Sequence, residues 1–322
     1  MNGGILVTGG SGFLGRAVLQ HMLNTDKRPI VAAVRDPQRN FPVGVRVEKV
    51  GDLGPNIEWM RCLKDVDVVI HCSAYVYGIK GKPTDVLAEY RKVNVQGTLA
   101  LAQQAAKAGA HRFVFISSIK ANGDYTLSGQ TFRADDVPAP SDAYGLTKVE
   151  AEQALMSLAR ETDMEVVIIR PPSVYGPGMK GNFASMINWM CKGIPLPLGA
   201  VYNERAFVAL DNLVDFIALC ADRERSPLAA NEVFLVSDNE TISTTELIHR
   251  VQRAYNIKNR LISVPSKWLW SIAYLTGRTA DARRLLGSLV IDTSKAYNLL
   301  GWAPIISMNE QLKKMALHDA RT

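Results

Sequence analysis

The sequence predicts an α/β fold built on a doubly wound parallel sheet, with a smaller C-terminal α/β substrate domain. Three observations carry that prediction. Short runs rich in Val and Ile alternate with longer amphipathic segments. A glycine loop follows the first run at once. The 322 residues, 47% apolar and 21% charged, supply a core for about two domains. Such alternation implies stacked βαβ units. Near-continuous apolar strands are what a parallel sheet covered on both faces demands.

Strands are expected at 5–8, 30–34, 45–50, 68–71, 112–117 and 166–170. Between them, 13–23, 85–108 and 141–160 place apolar residues at helical spacing, and Gly109 stands where a helix C-cap belongs. After Pro171-Pro172 the pattern turns to Gly- and Pro-rich loops, including Gly176-Pro177-Gly178 and 193–199. The expected division is therefore 1–172 and 173–322, the two parts interleaved. The second part carries weaker strands at 206–210, 233–236 and 261–264, and helices at 212–220 and 244–255. No internal repeat or low-complexity tract occurs.

The 37 basic and 31 acidic residues leave a net charge of +6, which suits an anionic small ligand. No Lys/Arg run is present, so nucleic acid is not expected as a partner. Cys62, Cys72, Cys191 and Cys220 show no C-x-x-C spacing and fit a reduced cytosolic interior. The histidines are isolated, so no metal site is expected. The first residues lack the basic region of a signal peptide, and no stretch approaches the roughly 18 apolar residues of a membrane span. A cytoplasmic protein is expected.

Directly after the first run comes Gly9-Gly10-Ser11-Gly12-Phe13-Leu14-Gly15, opening an amphipathic helix. Gly9 allows the tight turn, Gly12 lets backbone approach a pyrophosphate at the helix N-terminus, and Gly15 lets helix and strand pack closely. The second strand ends in Val34-Arg35-Asp36-Pro37-Gln38-Arg39. An acidic residue there would hold the ribose hydroxyls of NAD, whereas Arg35, supported by Arg39, would clamp the 2′-phosphate of NADP. Arg35 comes first, which favours NADP(H) and leaves NAD(H) as the alternative.

Tyr144 and Lys148 stand four apart in an expected helix, so phenol and ammonium share a face. A free tyrosine has a pKa of about 10, and an adjacent cation stabilises its phenolate. Ser117-Ser118 closes the fifth strand at the carboxyl edge of the sheet, where open α/β folds bind ligands. The other use of a hydroxyl in that place is a turn or helix cap.

Gly9–Gly15, Ser118, Tyr144 and Lys148, in this order and spacing, resemble the extended short-chain dehydrogenase/reductase family, also described as NAD-dependent epimerases and dehydratases. The resemblance covers essentially the whole chain and implies a Rossmann sheet. Gly51-Asp52-Leu53 resembles the family's adenine contact, and His71-Cys72-Ser73-Ala74 its fourth-strand end. Asn94-Val95-Gln96-Gly97-Thr98 resembles its central-helix motif, and 170–175, with Pro171 and Ser173, its nicotinamide edge. The resemblance implies that Ser118 binds the reacting oxygen and Tyr144 is the acid/base. Lys148 would bond the nicotinamide ribose and lower the tyrosine pKa.

The substrate side resembles that of nucleotide-sugar members. Asn182, Arg205 and Arg283 or Arg284 would hold a UDP-sugar diphosphate, and guanidinium groups suit bidentate phosphate contacts. Ser118-Ile119-Lys120 lacks the Thr-Asp-Glu run of the family dehydratases, and Ala121-Asn122-Gly123 departs from the Val-Tyr-Gly of its epimerases. The pattern resembles bacterial polysaccharide-cluster enzymes that reduce the C4 keto group of a UDP-4-keto-6-deoxy-N-acetylhexosamine. That reduction is the first expectation and a UDP-hexose 4-epimerase with tightly held NAD the second. Intact Ser118, Tyr144 and Lys148 speak against a non-catalytic dinucleotide sensor. A homodimer is expected. The aromatic segment 267–275 is expected to pack on its own domain or on a dimer partner, with contact with a membrane surface as the less favoured alternative.

Overall fold

The computed structural model of the chain describes residues 3–39, 41–75 and 83–321, with backbone alone at 83–85, 182, 280 and 281. In chain order the strands are β1 (Gly4–Thr8), β2 (Ile30–Val34), β3 (Val45–Lys49), β4 (Val66–His71), β5 (Arg112–Ile116), β6 (Glu165–Arg170), β7 (Ser173–Tyr175), β8 (Arg205–Ala209), β9 (Glu232–Leu235) and β10 (Thr241–Ile242). The helices that matter below are α1 (Phe13–Thr25), α2 (Met60–Leu63), α3 (Pro83–Arg91), α4 (Thr98–Lys107), α5 (Ala143–Glu161), α6 (Asn182–Cys191), α7 (Leu210–Ala221), α8 (Thr244–Ala254), α9 (Ser266–Leu275), α10 (Thr279–Leu286), α11 (Ser294–Leu300) and α12 (Met308–Asp319).

Seven strands make one sheet in the order β3-β2-β1-β4-β5-β6-β9, and every pairing in it is parallel. The doubly wound α/β architecture is thus the one the alternating runs predict. Side chains alternate between the two faces. Ile5 and Val7 of β1 join Val18, Leu19 and Phe216 of α1 and α7, while Leu6 joins Leu101, Ala105 and Leu155 of α4 and α5. A second sheet, β10-β8-β7, lies over a separate core containing Tyr175, Phe207, Ile248 and Leu312.

Three local expectations change. The run at 233–236, assigned to the smaller domain, instead supplies β9 and extends the main sheet beside β6, pairing Val167 with Glu232 and Arg170 with Leu235. The chain thus returns to the first body after crossing position 172. The expected helix 85–108 is interrupted by a π-helical turn, Lys92–Gly97, between α3 and α4. The expected strand 261–264 is reduced to a bridge between Leu196 and Leu261: after the ladder bonds of Leu196 the next one comes from the Gly199 amide to the Ile262 carbonyl, out of register by one residue, and Pro265 ends the run.

The C-terminal ends of β1, β4, β5 and β6 bring Thr8, His71, Ile116 and Arg170 to one edge of the sheet. In an open parallel sheet this edge is where ligands bind.

Candidate active site

The glycine loop is built as a close approach of backbone to backbone. Gly9 has φ +71°, and a Cβ there would lie 3.0 Å from both the amide nitrogen and Oγ of Ser73. A Cβ on Gly15 would sit 2.2 Å from the Gly9 carbonyl oxygen, so only glycine lets α1 meet the turn. Gly12 precedes α1 and no side chain caps the helix, which leaves the first-turn N–H groups of Phe13 and Leu14 for an anionic ligand. This cradle fits a dinucleotide pyrophosphate. Beneath it the His71 ring bridges Thr8 Oγ1 at 2.7 Å and Thr98 Oγ1 at 3.0 Å, and burial pushes its pKa down to about 3. A neutral imidazole has one donor and one acceptor for those hydroxyls. Thr8 Oγ1 also accepts from the Ser73 amide at 3.3 Å, fixing the Ser73-Ala74 turn beside the glycines.

At the outer end of the cradle, Arg35 Nη1 donates to Asp52 Oδ1 at 3.1 Å, both side chains being largely exposed. Arg39 lies 3.8 Å from Asp36. The two arginines offered as a phosphate clamp therefore each face a carboxylate. Leu53 packs against the π-helical turn, where a Cβ on Gly97 would meet Leu53 Cγ at 3.0 Å and the Gly54 amide nitrogen at 2.9 Å.

Asn94, buried in the same turn, accepts from the Tyr75 amide at 2.8 Å and donates to the Tyr75 carbonyl at 3.0 Å and to Thr147 Oγ1 at 3.3 Å. It ties the end of β4 to the helix that carries Tyr144 and Lys148. The family resemblance assigns Asn94 to the cofactor, and the geometry gives it this positioning task.

Ser118 follows β5 in extended conformation and its Oγ accepts from the Lys120 amide at 3.3 Å, capping a short 3₁₀ turn. That turn abuts the start of α5. Asp142 caps α5 by accepting from the Gly145 amide at 2.7 Å, and its other oxygen receives the ammonium of Lys120. A Cβ on Gly145 would lie 2.7 Å from the Lys120 carbonyl oxygen. Ser118 and Tyr144 are thus held on facing segments clamped by Lys120 and Asp142. Tyr144 also meets Tyr90 edge-on at 6.4 Å.

Lys148 lies one turn beyond Tyr144 and is wholly buried. Its Nζ donates to the Ile116 carbonyl at 2.8 Å and stands 4.4 Å from the Phe115 ring centre and 5.8 Å from that of Tyr144. Burial lowers its pKa from 10.5 to about 8, partly opposed by Glu152 and Cys72. One further turn on, Glu152 accepts from Ser117 Oγ and from Arg170 Nε at 3.0 Å and Nη2 at 2.5 Å. Arg170 Nη1 reaches Asn122 Oδ1 at 3.0 Å, and Asn122 Nδ2 donates to the Arg133 carbonyl at 2.8 Å. A buried charged network therefore underlies the Ser118 segment. Sequence reasoning missed Lys120, Asp142, Glu152 and Asn122. Only Asp142, an N-cap type just ahead of an amphipathic helix, carried a local signal.

Pro171 accepts from the Ile119 amide at 3.0 Å, and Ser173 opens β7 beyond it. On the substrate side, Asn182 opens α6 and its side chain lies outside the described residues. Arg205 is nearly buried, donates to the Gly287 carbonyl at 2.9 Å, and is lowered to about 10 by burial. Among the described residues no carboxylate acts on it, burial being the one cause of its shift. Arg283 stacks on the Tyr125 ring at 5.1 Å, and Arg284 acts electrostatically on Asp124. The segment after α10 carries both towards this site, since Ser288 bridges Thr126 and Leu289 bridges Arg205. A separate cavity between α6, α8 and α12, lined by Ile187, Cys191 and Tyr255, contains none of these groups.

The NAD dependent epimerase/dehydratase family pattern matches residues 5–236. A UDP-glucose 4-epimerase of Vibrio cholerae is 42% identical over 314 residues, covering 97% of this chain and 94% of that protein. The solved structure of MoeE5 in complex with UDP-glucose and NAD is 25% identical, with a TM-score of 0.77 and 99% of each chain covered. A UDP-N-acetylglucosamine 4-epimerase from Bacillus cereus shares the fold at 21% identity, with a TM-score of 0.78 and 98% of each chain covered. With the glycine cradle, the Ser118–Tyr144–Lys148 constellation and these likenesses together, the chain belongs to the NAD-dependent epimerase/dehydratase family of extended short-chain dehydrogenase/reductase enzymes.

Proposed function

We propose that the chain is a UDP-hexose 4-epimerase that retains NAD through the cycle. The observation that carries this reading is the 42% identity to a UDP-glucose 4-epimerase over nearly the full length of both chains. The 4-keto reduction that the sequence put first has no comparable support.

In this reading Tyr144 accepts the proton of the C4 hydroxyl and returns it to the same oxygen after the sugar has turned over. Ser118 Oγ donates to that oxygen as negative charge develops on it. Lys148, whose proton is retained below about pH 8, holds positive charge beside the phenol. NAD, when bound, supplies a reversible two-electron acceptor for C4. Gly9, Gly12 and Gly15 would admit its pyrophosphate to the N-terminus of α1. Arg205, a buried cation with no carboxylate partner among the described residues, suits the UDP diphosphate, with Asn182 and Arg283 or Arg284 at its rim. NAD is preferred to NADP because Asp52 and Asp36 already offset Arg35 and Arg39, and the remaining positive charge is a poor clamp for a dianionic phosphate.

The test is chromatography of UDP-glucose, UDP-galactose and their N-acetyl counterparts after incubation with the pure protein. Interconversion without added coenzyme, absent from Tyr144→Phe, supports the reading. Coenzyme-consuming reduction of a UDP-4-keto sugar, without interconversion, contradicts it.

A further inference from the structure

Lys148 is a buried cation with no anion in contact among the described residues. Its Nζ donates to the Ile116 carbonyl at 2.8 Å, and among the described residues that is the one hydrogen bond of an ammonium with three N–H groups. Glu152, one turn along α5, gives its oxygens to Ser117 and Arg170 instead. A charge taken out of water needs compensation. Beside the ammonium lies the Phe115 ring, its centre 4.4 Å away, within the range for a cation held over an aromatic face.

The sheet fixes that ring. Phe115 is fully buried in β5 and stands in register with His71 of β4 and Ile168 of β6. The His71 ring lies 5.9 Å from it, stacked at 16°, and Thr8 and Thr98 hold the imidazole at both nitrogens. Burial keeps His71 neutral, so it brings no second cation to the stack. The titratable groups around Lys148 are Tyr144 and Glu152 on its own helix and His71 and Cys72 at the end of β4, the Cys72 thiol being pushed up to about 12 by burial.

A ring compensates a cation differently from a carboxylate. A carboxylate in contact would cancel the field that Lys148 exerts on a neighbouring phenol, whereas the quadrupole of a neutral ring stabilises the ammonium and leaves its net charge in place. We propose that Phe115 is a positioning residue acting through Lys148: its face serves as the counter-group of the ammonium and keeps that charge intact on the helix face bearing Tyr144. The consequence for catalysis rests on the acid/base roles proposed above, while the charge itself is measured without them.

The test is a nuclear magnetic resonance titration of the full chain labelled at lysine Cε, the Lys148 signal being the one absent from Lys148→Met. Phe115→trifluorophenylalanine strips the ring face of its negative potential at nearly constant shape, and Phe115→Leu removes the ring, with unchanged far-ultraviolet dichroism as the check on folding. The expected wild-type midpoint of about 8 falls by about one pH unit in the fluorinated protein and at least as far in Phe115→Leu. The alkaline limb of kcat for UDP-hexose interconversion moves to lower pH with it. An unchanged midpoint in the fluorinated protein overturns the proposal, because a ring that only fills space is indifferent to fluorine. A midpoint that moves while the limb stays supports the Phe115 assignment and removes the Lys148 charge from the acid/base roles. If the chain interconverts no UDP-hexose, the function proposed above fails and the titration still decides the role of Phe115.

Discussion

Lys148 Nζ donates to the Ile116 carbonyl at 2.8 Å in a wholly buried setting. Ile116 ends β5, so its carbonyl is a free acceptor at the sheet edge, and it aims the ammonium at the helix face bearing Tyr144. Burial makes the charge costly and lowers the pKa to about 8. Activity that depends on this charge is expected to fall as pH rises through about 8, and Lys148→Arg should move that limb upward. A pH profile of kcat for both proteins checks it.

The same shift has a sign for stability. Between about pH 8 and 10.5 the unfolded chain binds a proton at Lys148 that the native chain has released, so this residue adds stability as pH rises through that window. Urea midpoints of wild type and Lys148→Met, measured at intervals across it, should therefore diverge in favour of the wild type. A constant difference contradicts the burial argument.

Glu152 and Arg170 are each about 5% exposed and bond at two points. Removing one partner strands the other, at an expected cost of about 3–5 kcal/mol, whereas replacing both with apolar residues costs less than the sum. A double-mutant cycle of Glu152→Met and Arg170→Met by denaturant unfolding measures the coupling. Because Ser117 and Asn122 depend on the pair, kcat should fall in either single variant more than KM rises.

Gly145 sets the spacing between α5 and the Ser118 turn. Gly145→Ala places a Cβ 2.7 Å from the Lys120 carbonyl oxygen, a backbone atom that cannot swing aside. The expected loss is about 1–3 kcal/mol of stability, with a larger proportional fall in kcat as Ser118 and Tyr144 move apart. Thermal unfolding and initial rates give the two quantities.

Arg35 and Asp52 make an exposed pair, a class worth about 0–1 kcal/mol, so Arg35→Ala should change NAD affinity by less than about fivefold. Asp52→Asn frees the guanidinium and should raise the NADP-to-NAD preference. Fluorescence titration with each coenzyme tests both statements, and a strong NADP preference in the wild type contradicts the NAD assignment.

What the sequence revealed of this protein was local. Val/Ile runs, the Gly9–Gly15 loop and the Tyr144–Lys148 spacing are written in neighbouring residues, and the sheet and glycine cradle follow from them. Glu152 and Arg170 are 18 positions apart, and Lys120 and Asp142 are 22 apart. Those pairs exist only once α5 has packed on the ends of β5 and β6, so periodicity has no access to them. β9 has four residues, and nothing in Glu232–Leu235 names β6 as its partner. The π-helical turn keeps helical periodicity in sequence while turning Asn94 towards Tyr75 and Thr147.

The central claim is tested most directly with UDP-glucose carrying deuterium at C4 and no added coenzyme. The account predicts UDP-galactose that keeps deuterium at C4, formed by the wild type and reduced by about 10²-fold or more in Tyr144→Phe. A product that requires added NADPH, or one that has lost its deuterium to solvent, would contradict it.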